Sequence, residues 1–261
     1  MGTRDIILLI RQVQRFMLYC CRKKSYNYIK HIRLILYISG IIKQYELIMR
    51  GEPMSVPSFK RLPMHIGVIP DGNRRWALGK GLEKQDGYCH GIKPGFELYK
   101  LCIELGIKEL TLYGFTEDNT RRPSIQTQAF RKACVDAVME LTGKDAELLV
   151  IGNTSSPMFP QELLPYTKRA KFGRGLIKIN FLVNYGWNWD LNHPEHIASA
   201  DISRVNLIIR WGGRRRLSGF LPIQSVYADF YIVDDLWPDF KPEHLYKALE
   251  WYQYQDVTLG G

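Results

Sequence analysis

Residues 71–76 read Asp-Gly-Asn-Arg-Arg-Trp and follow directly on the apolar run HIGVI and Pro70. A carboxylate and two guanidinium groups within five residues, on a turn whose backbone N–H groups lie open before a helix start, describe a pocket for phosphate and a divalent metal. Two more stretches have the same character. Residues 115–123 read FTEDNTRRP, and residues 210–218 read RWGGRRRLS. One such cluster alone is ordinary solvated loop. Three on one edge of a sheet make a cationic floor able to hold two diphosphates, because guanidinium forks match phosphate oxygens bidentately.

Those stretches need elements to gather them. From residue 65 onward short apolar runs alternate with helical segments: HIGVI, ELTLYGF at 109–115, ELLVIG at 147–152, KINFLVNYG at 178–186, VNLIIRW at 205–211 and DFYIVD at 229–234. Leu98, Leu101, Cys102 and Leu105 have helical spacing and end at Gly106, a residue suited to a left-handed C-cap. Alternating strands and helices, with strands apolar on both faces, predict an α/β fold with a mostly parallel central sheet flanked by helices. Ligands bind beyond the carboxyl ends of such strands. Each arginine cluster sits just after an apolar run, where that rule places a site.

The chain has 261 residues, is 46% hydrophobic and carries a formal charge of +10. It is globular in composition, and its charge asks for an anionic partner without choosing among nucleic acid, a membrane surface and a phosphorylated small molecule. Residues 1–60 hold eleven Lys/Arg against three Asp/Glu. Most of the excess is therefore in this segment, which is read as a basic N-terminal helical extension and linker ahead of a catalytic domain over 61–261. Ile6, Ile10, Val13 and Met17 fall on one helical face, with Arg11, Arg15 and Arg22 on another. Two readings stand for it: a peripheral surface for anionic lipid, or helices docked on the domain with their charges in water. Its apolar runs are too short to span a bilayer. Five cysteines without CxxC spacing point to a reducing, cytoplasmic setting and to no thiolate metal site. No GxxxxGK[ST] loop or GxGxxG turn is present, which counts against nucleotide binding, and no nucleic-acid module is found. Asp234, Asp235 and Asp239 do not have the spacing of the aspartate-rich magnesium motif of the all-helical trans-prenyl synthases, and Pro238 would break the helix that motif needs; the stretch is read as a turn.

HIGVIPDGNRRWA, LTLYGFTEDNTRRP and RWGGRRRLSGFLPIQSVYADFYIVDDLWPDF together resemble the signatures of the cis-prenyltransferase family, the undecaprenyl diphosphate synthases, from about residue 61 to the C-terminus. The resemblance implies a hydrophobic tunnel inside the fold and a homodimer. It also implies Mg²⁺-dependent condensation of an allylic prenyl diphosphate with isopentenyl diphosphate to give a cis double bond. It implies that Asp71 associates with the metal and that Asp71, Asn73 and Asn119 are catalytic. Gly72, Asn73, Arg74, Arg75, Lys84, Tyr88, Thr116 and Arg122 fall where the family holds the allylic diphosphate, and Arg210, Arg216 and Ser218 where it clamps the acceptor diphosphate. Asp229 stands where a glutamate is the second metal ligand. Such chemistry suits these residue types: arginines and a cation stabilise the leaving diphosphate, apolar walls keep water from the allylic cation, and a diphosphate oxygen can take the proton.

Some positions depart from the family. Lys84 replaces an arginine, Tyr88 a histidine, Thr120 an aromatic residue and Arg214 a glutamate, while the stretch from Asn184 to Arg210 is short by a helical pair. The final Thr-Leu-Gly-Gly keeps the glycines of an Arg-x-Gly tail without its arginine. That loss leaves two alternatives to ordinary elongation: an altered acceptor site, with Arg214 or Arg215 compensating and a different acceptor or linkage, or a subunit of a heteromeric enzyme whose partner supplies the tail. The modest helical stretch from Ser124 to Thr142 leans toward short or medium products.

Overall fold

Runs rich in Val, Ile and Leu form strands when both of their faces can be buried. In the computed structural model, which describes residues 57–192 and 197–256, the six expected runs are all strands. These are β1 (His65–Ile69), β2 (Glu109–Tyr113), β3 (Ala146–Ile151), β5 (Ile177–Leu182), β6 (Leu207–Arg210) and β7 (Asp229–Ile232). A seventh, β4 (Ala170–Lys171), was not expected; at two residues it is too short to show a period. The helices are α1 (Asn73–Gly79), α2 (Gly87–His90), α3 (Ile92–Glu104), α4 (Ser124–Leu141), α5 (Trp187–Leu191) and α6 (Pro242–Tyr252). The expected end of α3 is as read, with Gly106 left-handed at φ 77°.

The sheet order is β4-β3-β5-β2-β1-β6-β7, and every pairing is parallel except β3 with β4. From β1 the chain builds outward through β2 to β3 and β5, then returns to the other side of β1 with β6. The order therefore reverses at β1, which puts a crevice at its carboxyl end. Alternate residues divide between two cores. Ile66, Val68, Leu110, Leu148 and Ile209 pack with α3, α4 and α6, while Ile69, Leu149, Leu182 and Ile208 pack with Ile202, Phe220 and Leu221. Each fully buried Leu or Ile of this kind contributes about 1.5–3 kcal/mol over exposure. Gly67, in the middle of β1, has no room for a side chain: a Cβ there would lie 2.6 Å from the Phe220 ring. Phe220 is thus seated against the sheet itself.

At the amino end of the sheet a polar network crosses three strands. His65 Nδ1 lies 3.0 Å from the Ser203 carbonyl and Nε2 2.8 Å from Thr111 Oγ1. Ser203 Oγ donates to Glu109 at 2.6 Å, and Asn180 Nδ2 donates to Glu109 at 2.7 Å and to Thr111 at 2.9 Å. Arg169 donates to Asn180 Oδ1 at 2.7 Å. A neutral His65 with its proton on Nδ1 satisfies every link.

The shortened stretch before β6 carries only α5 among its described residues. The readings of residues 1–56 and of the tail Thr258–Gly261 lie outside the described residues. No described helix is long and apolar enough to cross a membrane.

Candidate active site

The strand-end loops meet around Asp71. β1 stops at Ile69, and Gly72, left-handed at φ 113°, turns the chain into α1. A Cβ on Gly72 would strike the Leu236 side chain at 2.8 Å, so both conformation and space select glycine. Arg210, the last residue of β6, is opposite Ile69 in register. Its Nη2 donates to Asp71 Oδ2 at 2.9 Å, while Nη1 donates to Ser218 Oγ at 2.9 Å and to the Arg216 carbonyl. Arg75 Nη2 lies 3.5 Å from Asp71 Oδ1 and donates to the Gly212 carbonyl at 3.0 Å. The Arg210 side chain is 5% exposed and that of Asp71 32%, so the arginine is fixed and the carboxylate keeps an open side.

The second loop closes the opposite wall. Asn119 Oδ1 accepts the Thr116 N–H at 3.3 Å across the 3₁₀ turn Glu117–Arg121. Arg122 donates to the Tyr88 hydroxyl at 2.9 Å, and the Tyr88 ring stacks on Phe130 at 4.5 Å with only 5° between planes. Burial lowers the Arg122 pKa, opposed by Tyr88. Arg74 donates to Gln126 at 3.3 Å.

Asp71, Gly72, Asn73, Arg74, Arg75, Lys84, Tyr88, Thr116, Asn119, Arg122, Arg210, Arg216 and Ser218 all line one open cleft. Arg214 lines it too, and Arg215 does not. Seven Lys/Arg side chains thus face two carboxylates, Asp71 and Asp118. Pro70, Asn73, Tyr88, Tyr113, Gly114 and Phe130 also line an apolar cavity that runs between α3, α4 and the sheet. Ala133, Cys134 and Ala137 leave the space, and Leu141 lies at the far end of α4. The buried Cys134 thiol is pushed up to about 12, so this wall is uncharged.

Asp229 corrects one expectation. It begins β7 opposite Leu207, whereas Arg210 is opposite Ile232. Three strand residues, roughly 10 Å, separate it from the carboxyl edge. It does not line the cleft, and Asp71 and Asp229 of one chain do not form a metal pair. Trp76 is neither in the cleft nor in the core: its indole donates to Asp239 at 2.8 Å and packs on His90. Tyr113, Gln126 and Phe130 were missed. Tyr113 had a readable signal, since it lies near the carboxyl end of an apolar run, at the edge where ligands bind.

No group of three or more His, Cys, Asp or Glu among the described residues could enclose a metal. The half-open Asp71 carboxylate in a cationic cleft fits Mg²⁺, which retains water and takes substrate phosphate oxygens. It does not fit a metal that needs a full protein cage.

The comparisons agree with this geometry. The family model for undecaprenyl diphosphate synthases matches residues 69–260. A ditrans,polycis-undecaprenyl-diphosphate synthase ((2E,6E)-farnesyl-diphosphate specific) of Vibrio parahaemolyticus is 30% identical over 76% of this chain and 91% of its own. An isoprenyl transferase of Nitrosomonas europaea is 30% identical over 78% of this chain and 88% of its own. The crystal structure of lavandulyl diphosphate synthase from Lavandula x intermedia, in complex with dimethylallyl diphosphate, shares the fold, with a TM-score of 0.65 at 24% identity over 76% of this chain and 98% of that one. A mostly parallel sheet with Asp71 just beyond the carboxyl end of β1, an arginine-lined cleft and an apolar cavity behind it are the parts of a prenyl-transferring enzyme, and the chain belongs to the undecaprenyl diphosphate synthase family.

Proposed function

We propose that the chain extends an allylic prenyl diphosphate with isopentenyl diphosphate in the cis configuration, with Mg²⁺ held by Asp71. The observation that carries this reading is the continuity of the cationic cleft with the apolar cavity through Asn73, Tyr88, Tyr113 and Phe130. Arg74, Arg75 and the backbone at Gly72 hold the allylic diphosphate, and its hydrocarbon enters the cavity. Arg210, Arg216 and Ser218 hold the acceptor diphosphate. The allylic C–O bond breaks with its electron pair leaving on diphosphate, the acceptor double bond closes on the allylic carbon, and a proton leaves to a diphosphate oxygen. Arginines stabilise the growing negative charge, and Phe130, Tyr88 and the apolar wall exclude water from the cation. Mg²⁺, when bound, further neutralises the leaving diphosphate. Thr116 and Asn119 orient the reacting carbons.

A homodimer belongs to this reading; Ile223, Val226 and Tyr227, each at least half exposed in the stretch before β7, supply apolar surface for it. Arg214 in the cleft favours a second reading, in which the acceptor or the linkage differs. Incubating the purified chain with Mg²⁺, labelled isopentenyl diphosphate and allylic diphosphates of five to twenty-five carbons, with Asp71→Ala in parallel, separates them. A cis-extended product that disappears in the variant is expected. Absence of isopentenyl incorporation, or a product joined differently by NMR, overturns the first reading.

A further inference from the structure

Tyr113 ends β2 and is 8% exposed. Its ring belongs to the walls of both the cleft and the apolar cavity and is wedged edge-on between Phe220 at 5.4 Å and Tyr185 at 6.2 Å. Its hydroxyl donates to the Ser218 carbonyl at 2.7 Å. Ser218 is left-handed at φ 53°, a conformation that costs a non-glycine residue and persists only when its surroundings hold it.

Few contacts do that holding. Gly212 and Gly213 are tied to the chain after β7 by backbone bonds to Asp235 and Val233. From Arg214 to Gly219, among the described residues, the side-chain anchors are Arg210, which bonds Ser218 Oγ and the Arg216 carbonyl, and Tyr113. Arg210 is shared with Asp71, so Tyr113 is the anchor that serves this loop alone. Burial raises the Tyr113 pKa, with Asp118 adding to it, so the hydroxyl remains a donor across the working pH range.

We propose that Tyr113 is a positioning residue for the acceptor site. Its hydroxyl holds Ser218 left-handed, which presents Ser218 Oγ and the Arg214 and Arg216 side chains to the cleft. The same ring forms the mouth of the cavity that takes the allylic chain, so one side chain aligns the two substrates' sites. This inference rests on the prenyltransferase reading.

Tyr113→Phe removes the hydroxyl and keeps the ring packing. The expected result is a KM for isopentenyl diphosphate raised about tenfold, the scale of one hydrogen bond to a buried group. The allylic KM stays within twofold and the Tm is nearly unchanged. Limited trypsin digestion reads the loop without turnover: cleavage after Arg214, Arg215 or Arg216 is several-fold faster in the variant. Unchanged kinetics, or both KM values rising together, overturns the proposal, as does equal tryptic cleavage. If the wild-type chain does not incorporate isopentenyl diphosphate, the functional reading fails, and the digestion still decides whether Tyr113 holds the loop.

Discussion

Polar side chains crowd both ends of β1, and the two crowds differ in what they leave over. At the amino end His65, Thr111, Asn180, Glu109, Ser203 and Arg169 satisfy one another. At the carboxyl end, among the described residues, Asn73 Oδ1 and Arg210 Nε are buried without partners, and the Lys84, Arg214 and Arg216 side chains face the cleft unpaired. A closed network of polar groups spends its hydrogen bonds internally and specifies how strands register. An open one, with cations in excess, is complementary to something absent from the chain. The density of polar residues does not distinguish structure from site; the balance does.

That contrast can be broken by mutation at either end. Asp71→Asn should lower turnover about a hundredfold or more, measured under saturating substrates, while circular dichroism shows an unchanged fold. A variant with full activity would mean that the open end does not depend on its carboxylate. Glu109→Gln, at the closed end, should cost about 2 kcal/mol in urea denaturation, since Ser203 and Asn180 lose a charged acceptor, with kcat/KM within twofold. Loss of activity in a fully folded Glu109→Gln protein would show that the ends are coupled.

Acid should act on the closed end. Burial lowers the His65 pKa from its ordinary 6.5. Burial pushes the Glu109 carboxyl up, but His65 and the Ser203 and Asn180 donors outweigh it and leave Glu109 below its ordinary 4.5. Both folded-state values are depressed, so the unfolded chain binds more protons as pH falls. The Tm should therefore decline below pH 6.5 and again below 4.5, by a few degrees in scanning calorimetry, and a flat profile would show that the network bears no proton linkage. The smallest effect should be that of salt. Raising ionic strength from about 0.05 to 0.5 M should raise both diphosphate KM values a fewfold by screening the cleft, with little change in Tm.

The elements that were readable from sequence are those with local periodicity. Six apolar runs and the Leu98–Leu105 spacing sufficed for six of the seven strands and α3, although all of these strands but β1 stop one to four residues before the runs do. Of those extra residues Gly114 lines the cleft, while Phe115 is buried in the core beside the sheet, where a Thr116–Tyr185 bridge continues the pairing of β2 with β5. The loops around Asp71, Thr116 and Arg210 were readable because each is contiguous. Asp229 was misplaced because a motif gives order along the chain, not which end of a strand a residue occupies. The amino-end network could not be read at all: His65, Glu109, Asn180 and Ser203 come from four separate segments, and each alone looks like an incidental polar residue.

The pairing of β1 has a consequence for the newly made chain. Its neighbours are β2, which follows within about forty residues, and β6, which is synthesised about 140 residues later. The Asp71 carbonyl accepts from the Trp237 N–H at 3.0 Å, and its carboxylate accepts from Arg210. The segment that begins the site is thus completed by segments near the end. Contacts so distant form late. A ribosome-bound chain emerging in order should present most of the hydrocarbon cavity's wall, on α3, α4, β2 and β5, before it has an assembled diphosphate cleft, with Trp237 closing that wall last. Catalytic competence is then among the last properties this polypeptide acquires.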